Sequence, residues 1–164
     1  MKKYTKLIAL VLSVILGVSA CCFNSFALND KTVYDMGNGL TLTVSDEPAM
    51  VTRANSYTYF SDLSVGTTAS TAATLVSNLS LSSNQSVFAV TFYSAPGTKL
   101  HFSIKDKTTG KYHGSPDSNG FLTAVSGNST NYSFGGLTPG HEYSVRVYGD
   151  SSFTASGQIV AFDS

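Results

Sequence analysis

The sequence predicts an all-β fold, an antiparallel β-sandwich. The first observation is period-two alternation of apolar and polar residues in short runs, enriched in β-branched and aromatic side chains. The second is punctuation, since clusters of Gly, Asn, Pro and Ser separate those runs. The third is the near absence beyond residue 27 of apolar residues at helical spacing. Eight to ten short strands spaced in this way argue for two packed antiparallel sheets, with a closed barrel as the alternative.

Each element follows from its own residues. Residues 32–36 and 40–44 flank Gly37-Asn38-Gly39, residue types that accept the positive φ of a tight turn, and so predict a hairpin. Leu40, Leu42 and Val44 share one face, with Thr41, Thr43 and Ser45 on the other. An isolated hairpin is marginal in water, so docking on the main sheet is expected. Residues 49–56 read as a linker. Residues 56–65 are a strand rich in Tyr and Phe, 66–73 a small-residue connection, and 75–81 a weaker strand. Residues 86–93 are apolar on both faces, which predicts a central strand covered on two sides. Residues 99–105 alternate, with Leu100, Phe102 and Ile104 inward and His101 and Ser103 outward. Asp106 to Gly110 is a turn leading to residues 111–113, and Asn119-Gly120 a turn before a strand at 121–125. Residues 131–134, 142–148 and 154–162 complete the set.

One segment carries a fold motif. Leu137-Thr138-Pro139-Gly140-His141-Glu142-Tyr143-Ser144-Val145-Arg146-Val147 resembles the corner of fibronectin type III domains in which Leu-x-Pro-Gly-x-x-Tyr precedes an alternating strand. Pro139 fixes φ, Gly140 permits the sharp turn, and Tyr143 can send its hydroxyl back to the upstream backbone. The resemblance implies a fibronectin- or immunoglobulin-like sandwich. The chain has no tryptophan, and Phe88 or Phe92 is expected to fill the place of one in the early core.

The N-terminus has the layout of a secretory signal: Lys2, Lys3 and Lys6, an apolar run from Leu7 to Ala20, then Ser25-Phe26-Ala27 with small residues at the cut. The run has 14 residues, whereas a transmembrane helix needs about 20. The expected organisation is a signal helix at 1–27, a β-hairpin and linker at 28–55, and a sandwich domain at 56–164. Val18-Ser19-Ala20-Cys21 also resembles the bacterial lipobox, which makes Cys21 a candidate for lipidation and a membrane anchor. With cleavage after Ala27, Cys21 and Cys22 both leave, so the remaining chain holds no disulfide. Removing the three leading lysines leaves it slightly acidic, without the basic stripe that nucleic acid binding needs.

No catalytic or cofactor motif stands out. There is no Gly-x-Ser-x-Gly elbow, and His101, His113 and His141 fall on an outward strand position, a short strand and a corner loop. No histidine or cysteine pair has metal-ligand spacing. Asp117-Ser118-Asn119-Gly120 begins like a calcium loop, but lacks the closing carboxylate and reads as a turn. Two surfaces deserve notice as binding candidates. Tyr57, Tyr59 and Phe60, with Tyr93, Tyr112 and Tyr148, offer rings on which sugars could stack. Lys99, His101, Lys105, Arg146 and Tyr148 point outward from two strands expected to be neighbours, a face suited to an acidic protein partner. The sequence therefore predicts an exported, non-enzymatic protein of a bacterium, binding or structural in role, at the cell surface or in the medium. A carbohydrate-binding module is the second expectation, and a secreted enzyme or inhibitor the third. A surface protein or a glycan is the partner in view. A membrane enters only through Cys21.

Overall fold

The Gly37-Asn38-Gly39 turn sets the first pairing of the chain. Its φ angles are 80°, 50° and 80°, a left-handed run that glycine and asparagine tolerate. It joins β1 (Thr32–Asp35) to β2 (Thr41–Ser45), antiparallel, with Val33 opposite Thr43 and Tyr34 opposite Leu42. This is a computed structural model, and it describes residues 31–48 and 57–163. The expected signal helix with Cys21, and the linker at 49–56, lie outside the described residues.

Seven further strands follow: β3 (Tyr57–Val65), β4 (Ala73–Ser80), β5 (Gln85–Phe92), β6 (Leu100–Asp106), β7 (Asn131–Gly135), β8 (Glu142–Gly149) and β9 (Phe153–Asp163). A single 3-10 turn, Ala69–Thr71, precedes β4. The strands form two antiparallel sheets, a six-stranded one ordered β1-β2-β7-β5-β9-β3 and a three-stranded one ordered β4-β8-β6. The protein is an all-β sandwich. The hairpin is part of the larger sheet, because β2 pairs with β7 from Thr41–Gly135 to Ser45–Asn131.

The core lies between the inner faces. Leu40, Leu42, Phe88, Val90, Tyr132, Phe134 and Ile159 of the larger sheet are fully buried, as are Leu100, Tyr143, Val145 and Val147 of the smaller. Aromatic rings run through it as a chain. Phe88 stacks on Phe134 with centroids 4.9 Å apart, and Phe102 of the facing sheet meets Phe134 edge-on at 5.1 Å and Tyr132 at 5.4 Å. Tyr132 meets Phe92 at 5.7 Å, and Phe92 meets Phe60 at 5.8 Å. Phe88 lies at one end of this chain of rings, and Phe92 inside it, between Phe60 and Tyr132. Edge-to-face and offset contacts of this kind add to the area buried.

Tyr143 carries the corner before β8. It has no exposed surface, and its hydroxyl accepts the Thr138 N–H at 3.0 Å. That bond satisfies a backbone donor at a crossing where no strand can reach it.

Two expectations need correction. β5 is central, but its outer face is covered only in part. Phe88, Val90 and Phe92 are buried on the inner face and Ala89 on the outer, whereas Val87 and Thr91 are only half-buried and Tyr93, just beyond the strand, is 63% exposed. Residues 121–125 do not form a regular strand. They touch the β6 edge through Leu122 N–H to Phe102 O (2.8 Å) and a reciprocal Leu100–Val125 pair (2.9 Å), while Phe121 and Leu122 turn to opposite sides of it.

The whole connection from β6 to β7 behaves as a strap. His113 N–H bonds Ile104 O (2.8 Å) on the smaller sheet, and Ser115 N–H bonds Met36 O (2.7 Å) on the hairpin of the larger. Gly114 sits between them at φ +78°, where a Cβ would fall 2.8 Å from Leu122 and 2.9 Å from Leu40. Only glycine fits that place without displacing both leucines.

Phe102→Ala is expected to lower stability by about 3–5 kcal/mol, because it empties the ring that joins the two sheets; urea unfolding followed by far-UV circular dichroism measures it. Tyr143→Phe keeps the ring and orphans the Thr138 N–H, with an expected loss of about 1–3 kcal/mol in the same assay. A loss below about 0.3 kcal/mol would show that the corner bond adds nothing.

Candidate functional site

The residues singled out by sequence divide between the two outer faces. Tyr57 and Tyr59 stand on the outer face of the six-stranded sheet. His101, Arg146 and Tyr148 stand on the outer face of the three-stranded sheet. Because the sheets pack through their inner faces, these are opposite surfaces, and no single site unites the five residues.

On the three-stranded sheet, β6 and β8 are neighbours, with His101 opposite Tyr148 and Ser103 opposite Arg146. His101 lies flat on Tyr148, centroids 4.2 Å apart and planes 8° from parallel, and its Nε2 is 3.0 Å from Asp150 Oδ1. Phe121, brought over by the strap, packs edge-on against Tyr148 at 4.8 Å. The Arg146 guanidinium sits 5.6 Å from the Phe121 ring centre and donates to the carbonyls of Ala69 (3.1 Å) and Ala72 (3.4 Å). Phe121 is thus buried outside the main core, and Ser103 beside it is buried too. Burial, with the Asp117 and Asp150 carboxylates nearby, pushes the Tyr148 phenol up.

Next to this cluster lies an open depression of about 460 Å³ lined by Thr74, Ser77, Lys105, Lys107, Ser144 and Arg146, with Gly110 at its rim. Lys105 is opposite Ser144, whose short side chain on the middle strand leaves the hollow. β4 shifts register twice against β8, between Thr74 and Val76 and again between Val76 and Leu79, so Ser77 and Asn78 both face out. Lys107 was not singled out by the sequence reading, although extending the alternation His101, Ser103, Lys105 by one step reaches it. The part played by β4 left no trace in its sequence.

On the six-stranded sheet, Tyr57 is opposite Val160 and Tyr59 opposite Gln158, which is itself opposite Thr91. Tyr57 and Tyr59 are 46% and 65% exposed, their centroids 6.3 Å apart. Tyr93 lies two strands away on the same face, its N–H bonded to Ser156 O at 2.9 Å. Between Phe60 and Leu63 the strand bulges, which places Asp62 at φ 51° with its N–H on Ser156 Oγ at 3.0 Å. Three phenol rings therefore surround Gln158 and Ser156. Phe60, grouped with these tyrosines by sequence, points into the core instead, because it alternates with them.

The three histidines hold structure. His113 Nε2 is 3.0 Å from Gly136 O, and its ring meets Tyr143 edge-on. His141 Nδ1 is 2.8 Å from Asp106 Oδ2, and Asp106 Oδ1 accepts the N–H groups of Thr108 (2.9 Å) and Thr109 (3.1 Å). Among the described residues no serine hydroxyl is hydrogen-bonded to a histidine. Asp117 Oδ1 accepts the N–H groups of Asn119 (2.8 Å) and Phe121 (3.0 Å), so its carboxylate closes its own turn. Among the described residues no three His, Cys, Asp or Glu side chains gather as a metal would require, and no helix is long and apolar enough to cross a membrane.

No protein-family model matches this chain, and no curated protein matches it.

Burial works against the Asp106 charge, but the hydrogen bonds from His141 and Thr109 outweigh it and hold the carboxyl below its ordinary value of 3.8. A carboxyl lowered in the folded state stabilises above its unfolded value and loses that contribution as pH falls through the folded one. Asp117 is lowered as well, chiefly by the Phe121 N–H. The urea midpoint is therefore expected to fall between about pH 4 and pH 2, and Asp106→Asn should remove part of that acid loss. An unchanged acid limb in the variant would exclude Asp106 as its source.

Proposed function

We propose that this chain is an exported, non-enzymatic bacterial protein that acts by binding, at the cell surface or in the medium. The reading of export rests on the layout of residues 1–27, with cleavage after Ala27 giving a free protein and lipidation at Cys21 giving an anchored one. The fibronectin-like corner around Pro139, Gly140 and Tyr143 supports membership among extracellular sandwich modules by analogy of fold alone.

The observation that carries the binding reading is the cluster of Tyr57, Tyr59 and Tyr93, 46%, 65% and 63% exposed on one sheet face. Large apolar surface left open in this way marks contact surfaces. Tyrosine suits such a surface, since its ring buries area at low entropic cost and its hydroxyl stays wet. A carbohydrate is the favoured second reading, because Gln158 and Ser156 sit among the rings and can bond sugar hydroxyls.

Screening on a glycan array, with Tyr59→Ala and Tyr93→Ala variants, tests both readings. Exposed positions of this kind change stability by no more than about 0.5 kcal/mol, so lost binding in a folded variant locates the contact. A glycan signal abolished by these changes supports the carbohydrate reading, while binding to bacterial surface proteins abolished by them supports the broader one. Binding that survives both substitutions would remove the tyrosine face from the function. Intact mass of the exported protein separates a chain starting at Leu28 from a diacylated chain starting at Cys21.

A further inference from the structure

The chain places seven basic residues beyond residue 27, and three of them, Lys105, Lys107 and Arg146, line a depression on the outer face of the three-stranded sheet. That concentration is notable in a slightly acidic chain with few charges. Little neutralises it. Among the described residues, the only carboxylate within 4.0 Å of these three cations is Glu142, which stands 3.9 Å from Lys107. Lys107 otherwise donates to the neutral amide of Asn78. Arg146 donates only to backbone carbonyls, and Lys105 rests 5.8 Å from the centre of the Tyr112 ring. Cations held by neutral acceptors and rings keep their field for a ligand.

The rest of the lining limits what the ligand can be. Thr74, Ser77 and Ser144 contribute hydroxyls, and large apolar side chains do not line the hollow. Its volume of about 460 Å³ is in the range of small-ligand sites. It is open, and it runs across β8 between the edge strand β4 and the 106–110 turn, so a polymer could pass through it. We propose that this depression binds an acidic oligosaccharide, its carboxylates against Lys105, Lys107 and Arg146 and its hydroxyls against Thr74, Ser77 and Ser144. An acidic saccharide presents a carboxylate and several hydroxyls per unit to the two halves of this lining, a denser match than the single carbonyl and N–H that each residue of an acidic peptide adds to its carboxylate. The site lies on the sheet opposite the tyrosine face, so it stands or falls independently of that reading.

Isothermal titration calorimetry of the chain from Leu28 with trigalacturonic acid tests the assignment, with galactotriose, hexaglutamate and inorganic phosphate as comparisons. Trigalacturonic acid is expected to bind at least about tenfold more tightly than the other three, and to weaken as salt is raised. Lys105→Gln with Lys107→Gln should cost about tenfold or more in affinity, since each removes a charge-assisted donor. Ser144→Ile keeps every cation and fills the hollow at an outward strand position, and should abolish binding. Equal affinity for galactotriose would overturn the role of charge. Equal affinity for hexaglutamate would assign the face to an acidic protein, and equal affinity for phosphate would reduce it to a simple anion site. Failure of trigalacturonic acid to bind, or full affinity in Ser144→Ile, would overturn the proposal outright. Loss of tyrosine-dependent binding elsewhere would leave each of these outcomes unchanged.

Discussion

Everything in this structure depends on one contact line, the aromatic chain that passes from Phe60 through Phe92, Tyr132, Phe102 and Phe134 to Phe88. The described residues contain no cysteine, so no disulfide joins the sheets there. Phe102 is the member contributed by the smaller sheet, and it touches two rings of the larger one. Sandwich layers hold together by burying inner faces against each other. Here the burial is concentrated in rings, whose fixed shapes also set how the layers register. The outer faces inherit their geometry from that register, and both candidate surfaces therefore rest on a core they do not touch.

The strap between β6 and β7 is the second organising element. An open β6 edge would present unpaired backbone groups to other chains. The strap occupies that edge at Leu100, Phe102 and Ile104, and then bonds the hairpin at Met36. It also delivers Phe121 to the far side of the small sheet, where Phe121 props both Tyr148 and Arg146. One segment thus closes an edge, ties two sheets and positions a cation. Its glycine at position 114 is what lets the backbone come close enough to do so.

Local features of this fold were legible in the sequence, and long-range ones were not. The first hairpin could be read because Gly37-Asn38-Gly39 specifies a turn and Leu40, Leu42 and Val44 specify a face. The Tyr143 corner could be read because its chemistry is contained within six residues. The partners of β9 could not be read, since nothing in residues 153–163 says that they lie between β3 and β5. The same limit governed the site. Tyr57 and Arg146 both read as outward residues of alternating strands, and only sheet assignment puts them on opposite surfaces. The two register shifts of β4 were invisible for a different reason, because a bulge is decided by the partner strand as much as by its own residues.

The position of β9 has a bearing on how the molecule comes into being. Among the described residues β3 finds its only strand partner in β9, and β5 finds one of its two there. A growing chain that ends before residue 153 therefore holds Tyr57–Val65 without its β9 ladder, and two of the six strands of the larger sheet, β3 and β9, are not in place. β5 can pair with β7 once Gly135 is made, but its other edge and the whole of β3 wait for Phe153. The insertion of β9 between β3 and β5 then completes the larger sheet. Contacts that span so much sequence close slowly. The topology thus builds a delay into folding, and the last strand, not the first hairpin, decides when the protein becomes itself.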